Sequence, residues 1–516
     1  MVKIAKGINI PLNRAEGDLE INVEIENGAI AEAWSAGTLF RGFEGMMRGR
    51  GALDGLVMTP RVCGICSVTH LTAAAEALDA IAGITPPDNA RRLRNLALMI
   101  ETVQSDVRQS ILMFMADFAN REAYGDHPLG SDAQARYQPL AGRAAVEVIR
   151  ESKRLVQALA IIGGQWPHTS FMVPGGVTSI PEVSKLLQCQ IIVERFRSWY
   201  ERSILGCSLD RWLAVQSVGD LAAWLTESPA HRESEVGFFL RFSRKTGLHT
   251  IGKGPNRYLS YGNLPLPVET EVQGTGGRLT AAGYAVGTAV SPFEAAQITE
   301  DVSHSWYEQG SVPVHPMVGK TKPYASGQSG QLYSWVKAPR YGSEVVETGP
   351  LAEMVIDGNP LFHDLIAVDG PSVMVRQLAR MIRPAHLLTT MAVWLGELVE
   401  RRNGSFYHSV RSIPDGQGAG MIQAARGALG HWVKIHDEKI THYQIITPTA
   451  WNGSPRDENG MRGAWEEALI GTPIKDIKNP VEAGHVVRSF DPCLVCAVHC
   501  LDKGQKRGTV KVGWAW

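Results

Sequence analysis

The chain runs to 516 residues, 44% of them hydrophobic and 20% charged, the make-up of a protein that buries a sizeable core. Lys plus Arg (51) nearly equals Asp plus Glu (52), so neither a nucleic-acid face nor a polybasic membrane surface is indicated. Seven cysteines are too few and too unevenly spread for a disulfide scaffold.

The opening stretch MVKIAKGINIPLNRAEGD lacks the apolar core of a secretory signal, and no later segment approaches the ~18 apolar residues of a membrane span. A cytoplasmic protein is expected, membrane-associated only through partners. In GDLEINVEIENGAIAEAW, Leu19, Ile21, Val23 and Ile25 alternate with polar residues up to Asn27-Gly28, which predicts a β-hairpin. From Asn89 to Phe118 the residues Leu93, Leu96, Ile100, Val103, Val107, Ile111, Phe114 and Phe118 recur at helical spacing, predicting one helix of about thirty residues. Residues 144–162 read as a second long helix, closed by Gly163-Gly164 and Pro167. Pro181 to Leu205 and Ser372 to Arg402 read as a third and a fourth. Between 245 and 365, Gly and Pro become frequent and short strand-like runs such as RLTAAGYAVG appear. GHWVKIHDEKITHYQIITP then predicts another hairpin with a charged turn. No repeat or linker divides the chain, so one intergrown body is expected, mainly α with β excursions (α+β).

The chemistry concentrates in two C-x-x-C pairs near opposite ends. Cys63 and Cys66 stand in RVCGICSVTH, Cys493 and Cys496 in DPCLVCAVH, and each pair is followed by a histidine, His70 or His499. Such a pair lets two thiolates face one ion from a single turn. Three readings stay open on the residues alone: a soft-metal catalytic site, a structural zinc site, or two independent redox motifs. Zinc modules place their pairs close together to staple small folds, and neither pair here sits in the βαβ pattern of a redox motif. Cys189, Cys207 and Cys500 are scattered and read as plain thiols.

The two motifs resemble the signature sequences of nickel–iron hydrogenase large subunits. NRAEGDLEINVEI, RGFEGMMRGR, GGQWPHTSFMVPGGVT, WVKAPRYGSEVVETGPLAEM, ARGALGHW and YQIITPTAWNGSPRD are similar to that family's segments, in its order. The resemblance implies a large multi-helical body over residues 1–499, with both termini converging on a buried metal centre. It implies reversible heterolytic cleavage of dihydrogen, in the uptake direction, at a nickel–iron centre with carbon monoxide and cyanide on iron. Cys63 and Cys493 would be terminal thiolates on nickel, with Cys66 and Cys496 bridging to iron; soft sulfur suits such metals. Cys493 sulfur would pass a proton to Glu16. Arg426 would hang over the metals, oriented by Asp491, and His70 would donate to a bridging sulfur. Glu44, the carbonyl near Ile445 and His499 would hold a magnesium (or iron) ion. Without the resemblance, Glu16 reads as a solvated acid, His70 as an ordinary packed histidine, and Arg426–Asp491 as a surface ion pair. Two departures from the family pattern stand out: Ala425 replaces a common proline, and Ser105 stands where an acid is usual, with no role transferred to neighbouring Asp106.

With four cysteines committed, the chain lacks the clustered cysteines of an iron–sulfur relay, so an iron–sulfur small subunit is implied for electron exit. The resemblance also implies nickel-loading chaperones and a maturation peptidase that removes residues 500–516. A dihydrogen-sensing subunit on the same scaffold is the alternative, since CGICSV is shared with sensors; His70 and the C-terminal extension favour the enzyme. A quinone-side relative from respiratory complex I would lack the four cysteines.

Overall fold

The computed structural model describes residues 8–12, 14–15, 17–268, 277–308, 313–320, 322–324 and 331–493. Alternating apolar residues form the expected hairpin from β2 (Leu19–Glu26) and β3 (Ala29–Gly37), with β1 (Ile8–Pro11) added along the free edge of β2. Asn27 and Gly28 both take positive φ, as a tight two-residue turn requires.

Two short helices, α1 (Phe43–Met47) and α2 (Asp54–Met58), lead into α3 (Ser67–Ala82). The long helices are α4 (Asp88–Arg108), α5 (Arg143–Gly163), α6 (Val183–Trp199) and α7 (Val373–Glu400), and α8 (Val481–Ser489) precedes the second cysteine pair. Helices α4, α5, α6 and α7 pack in a ring, each against the next, and bury the stripe from Leu93 to Phe118. The expected helical run of about thirty residues extends to Ala119, but not as α-helix throughout. After Arg108 the backbone widens into a π turn over Gln109–Phe114 and tightens to a 3-10 turn over Met115–Ala119. The bulge turns Gln109 and Ser110 inward, where Gln377 Nε2 donates to Gln109 Oε1 (3.1 Å) and Ser110 Oγ (2.8 Å).

The β excursions include, besides two short two-stranded pairs, two further three-stranded antiparallel sheets: β4 (Arg257–Pro265), β5 (Arg278–Val286) and β6 (Ala289–Ser291); and β7 (Gly416–Ala424), β8 (Gly427–His436) and β9 (Lys439–Ile446). Asp437 and Glu438 make the charged turn between β8 and β9, both at positive φ. Helix α3 lies directly on β7, and glycine permits it: a Cβ at Gly420 would sit 1.9 Å from the Ala73 carbonyl oxygen. That contact fixes the N-terminus of α3 beside the β7–β8 turn.

Candidate metal centre

Cys63 follows a 3-10 turn whose carbonyls are gripped by Arg41, its two terminal nitrogens donating to Val62 O and Arg61 O at 2.7 Å each. Cys66 is the residue that caps α3. Glu101 on α4 satisfies the first turn of α3, accepting from Val68 N and Thr69 N at 2.8 Å and from Thr69 Oγ1 at 2.7 Å. Burial pushes the Glu101 carboxyl up to about 7 against the pull of these hydrogen bonds.

At the other end of the chain, α8 runs out at Ser489, Asp491 turns the backbone through the left-handed region, and Cys493 N donates to Thr449 Oγ1 at 3.0 Å. Cys63 and Cys493 Sγ lie 3.7 Å apart, and the ligand atoms of Cys63, Cys66 and Cys493 all fall within 4.8 Å of one another. All three are buried free thiols. Cys66, Thr69, His70, Arg426, Thr449 and Cys493 line one small cavity of about 10 Å³. The other expected members, Glu16, Cys496 and His499, lie outside the described residues, as do Cys500 and the rest of the 500–516 segment.

Arg426 occupies the two-residue turn between β7 and β8, since Ala424 pairs with Gly427. Its Nε lies 3.2 Å from Asp491 Oδ1, and both residues are buried, which corrects the surface-ion-pair alternative: the turn is covered by α7 and by the chain around Thr348. Burial alone would lower the Arg426 pKa, but Asp491 and the thiolates of Cys493, Cys66 and Cys63 outweigh it and hold the guanidinium well above its ordinary value. Arg426 Nη1 and Nε have no hydrogen-bond partner among the described residues, Nε meeting Asp491 as an ion pair alone. A buried, charged donor left unmet is costly, so the site is built to hold something there.

Behind this pair stands a network that sequence reasoning missed. Asp491 Oδ2 is 3.2 Å from Arg380 Nη1, which is 3.2 Å from Asp106 Oδ1. Arg383 holds Asp106 through Nε (2.8 Å) and Nη2 (2.7 Å) and also pairs with Glu353. Arg380 and Arg383 both donate to the Ala425 carbonyl, at 3.0 and 2.6 Å. Arg376, Arg380 and Arg383 recur on one face of α7 among apolar residues, the only signal the sequence offered.

His70 is buried in the second turn of α3, its N–H donating to Cys66 O at 3.2 Å. Its Nδ1 faces His431 Nε2 at 3.1 Å. Burial lowers the His70 pKa to about 4, so the ring is neutral near pH 7.

Glu44 of α1 and Ile445 of β9 lie together, the Ile445 N–H donating to the Glu44 carboxylate at 3.0 Å. Lys337, also missed, bridges Glu44 (2.9 Å) and Glu300 (2.6 Å), and Gln444 Nε2 donates to Glu300 at 2.7 Å. Burial opposes the Lys337 charge, but the two carboxylates hold its pKa above the ordinary value. Cys189 and Cys207 are packed thiols: burial pushes Cys189 up to about 12, and Cys207 accepts from Trp224 Nε1 at 3.4 Å.

Clustered soft donors, a buried cation with an unmet N–H and a small cavity together fit a compact soft-metal centre. Among the described residues no helix is long and apolar enough to cross a membrane. The family described as nickel-dependent hydrogenase matches residues 41–119 and 241–499. The chain is 32% identical to the periplasmic NiFeSe hydrogenase large subunit of Desulfomicrobium baculatum, over 95% of this chain and 94% of that one. It is 28% identical to the uptake hydrogenase large subunit of Rhodobacter capsulatus, over 97% and 96% respectively. Its fold matches the crystal structure of the reduced, active NiFeSe hydrogenase from Desulfomicrobium baculatum with a TM-score of 0.81 at 29% identity, covering 96% of this chain and 100% of that one. The chain therefore belongs to the nickel-dependent hydrogenase family, as the large subunit of an oxidoreductase that acts on dihydrogen.

Proposed function

We propose that Cys63, Cys66, Cys493 and Cys496 would hold a nickel–iron centre with carbon monoxide and cyanide on its iron, Cys63 and Cys493 serving nickel and Cys66 and Cys496 serving both metals. The carrying observation is the meeting of Cys63, Cys66 and Cys493 sulfurs, from opposite ends of the chain, beneath Arg426. When bound, the centre would supply the Lewis acidity that polarises dihydrogen and the redox capacity for its two electrons.

The chain's own residues manage the charge and the protons. Cys493 sulfur takes one proton and passes it to Glu16 for export. Arg426 holds a fixed positive charge against the thiolates and offers Nη1 to the cavity, while Asp491 anchors its Nε side. His70 donates from its ring to a bridging sulfur. Thr449 steadies the backbone of Cys493. Glu44, the Ile445 carbonyl and His499 would hold a magnesium or iron ion beside the site, where Lys337 pairs with Glu44 and Glu300.

Electrons leave to an iron–sulfur small subunit, and oxidation of dihydrogen is the working direction. Relatives described as uptake hydrogenases support that direction over the sensing alternative. Residues 1–499 act as one domain, and residues 500–516 are removed once nickel is loaded. Metal analysis with infrared spectroscopy of host-purified protein tests the centre. Nickel and iron near one each per chain, with carbonyl and cyanide stretches, is the expected result; zinc alone would return the four cysteines to a structural role.

A further inference from the structure

Behind His70 runs a buried hydrogen-bonded chain that the scheme above does not use. His70 Nδ1 lies 3.1 Å from His431 Nε2, and His431 Nδ1 lies 2.9 Å from the Tyr443 hydroxyl. His70 rides on α3, His431 on β8 and Tyr443 on β9, and all three are buried. The tyrosine ring is held from the side by α2, where a Cβ at Gly55 would come within 3.3 Å of Tyr443 Cε2.

Facing ring nitrogens share one proton, so a choice made at one end of such a chain sets its direction throughout. Tyr443 makes the choice. Among the described residues its hydroxyl meets only His431 Nδ1. Running the chain toward Tyr443 would leave a buried hydroxyl proton without an acceptor, a loss of about 1–3 kcal/mol. The hydroxyl therefore donates to His431 Nδ1, and the His431 proton sits on Nε2. That N–H in turn donates to His70 Nδ1, leaving the His70 proton on Nε2. His70 lines the cavity it shares with Cys66, Arg426 and Cys493, and Nε2 is the ring nitrogen left to face it.

We propose that His431 and Tyr443 are positioning residues that lock His70 in its Nε2–H tautomer, so that it presents a donor, never a lone pair, to the thiolates. The inference rests on the thiolate reading of the site. A donor stabilises sulfur charge there, whereas the other tautomer would turn a lone pair toward anionic sulfur.

The test is nitrogen NMR of full-length, metal-loaded protein carrying 15N-histidine, with nickel and iron measured on the same samples. Wild-type protein is expected to show Nε2–H for both His70 and His431. Tyr443→Phe leaves His431 Nδ1 unmet and gives His70 an Nδ1–H population. Dihydrogen oxidation then falls about tenfold at unchanged metal content, as expected when a partner of a ligand-orienting histidine is lost. His431→Gln, whose amide N–H replaces the lost donor, keeps His70 as Nε2–H; His431→Leu does not. A wild-type His70 protonated on Nδ1, or a His70 tautomer indifferent to Tyr443→Phe and His431→Leu, overturns the proposal. Protein without nickel and iron fails the metal reading instead, and the tautomers are scored separately from it.

Discussion

Gly420 gives the sharpest test of how the thiolates come to be spaced as they are. An alanine there puts Cβ 1.9 Å from the Ala73 carbonyl oxygen, with Ala73 C at 2.8 Å and Ala77 N at 3.0 Å. Carbon and oxygen need about 3.3 Å, so helix α3 must lift from β7 by roughly 1.4 Å or the strand must buckle. Overpacking against backbone of this kind costs about 3 kcal/mol. Cys66 and His70 move with α3, while Cys493 is tied to Thr449 on another part of the chain. A misplacement of about 1 Å at a reacting centre costs on the order of a hundredfold in rate. Gly416→Ala is the matched control: same strand and same helix, but its Cβ meets only Ile81 Cγ2 at an ordinary 3.5 Å. Thermal unfolding, nickel per chain and dihydrogen oxidation with a dye acceptor should all fall for Gly420→Ala and hold for Gly416→Ala. If both variants match wild type, the α3–β7 contact does not set the thiolate geometry.

Asp106→Asn removes the carboxylate charge between Arg380 and Arg383, and stranding buried guanidinium charge should cost about 3–5 kcal/mol in denaturant unfolding; a loss under about 1 kcal/mol would show that the network is not held by that charge. Glu16→Gln should nearly abolish turnover while nickel and iron stay bound, and wild-type dihydrogen oxidation by the purified variant would end its assignment as proton relay. Mass spectrometry of active, host-matured protein should show the loss of residues 500–516; an intact C-terminus on active enzyme refutes processing. Burial lowers His485 from 6.5 to about 4, so its contribution to stability is complete above pH 6.5 and is lost as pH falls through about 4. The ceiling is about 3 kcal/mol. His485→Gln should flatten the acid limb of an unfolding-versus-pH curve between those values, and an unchanged slope would refute it.

What the sequence revealed follows from what its patterns encode. The β2–β3 hairpin was legible because Asn27-Gly28 is a turn in any context, and α5 and α7 because their periodicity is local. The helical run through Phe118 was legible from its apolar spacing, but that spacing does not register the change from α to π at Gln109 and to 3-10 at Met115. The cysteine pairs announced a site, yet nothing in their own neighbourhoods says that Thr449 and Arg41 pin them. Arg380, Arg383 and Asp106 stayed invisible for a different reason: a periodicity argument assigns charges to the solvent face, and here they are interior. Lys337 escaped for the same reason.

Ala425 shows how such interior charge changes the meaning of a departure from the family pattern. A proline before the arginine, as is common in the family, would stiffen the β7–β8 turn through its ring. In this chain the turn is held through the Ala425 carbonyl, which accepts from Arg380 at 3.0 Å and Arg383 at 2.6 Å. Those bonds belong to the backbone and do not depend on the side chain at position 425. The same two arginines reach Asp491 and Asp106, so the anchors of the turn and of Arg426 are one buried lattice. An alanine at 425 therefore leaves the guanidinium anchored, because its hold comes from the carbonyl of that residue and from Asp491 rather than from a ring at that position.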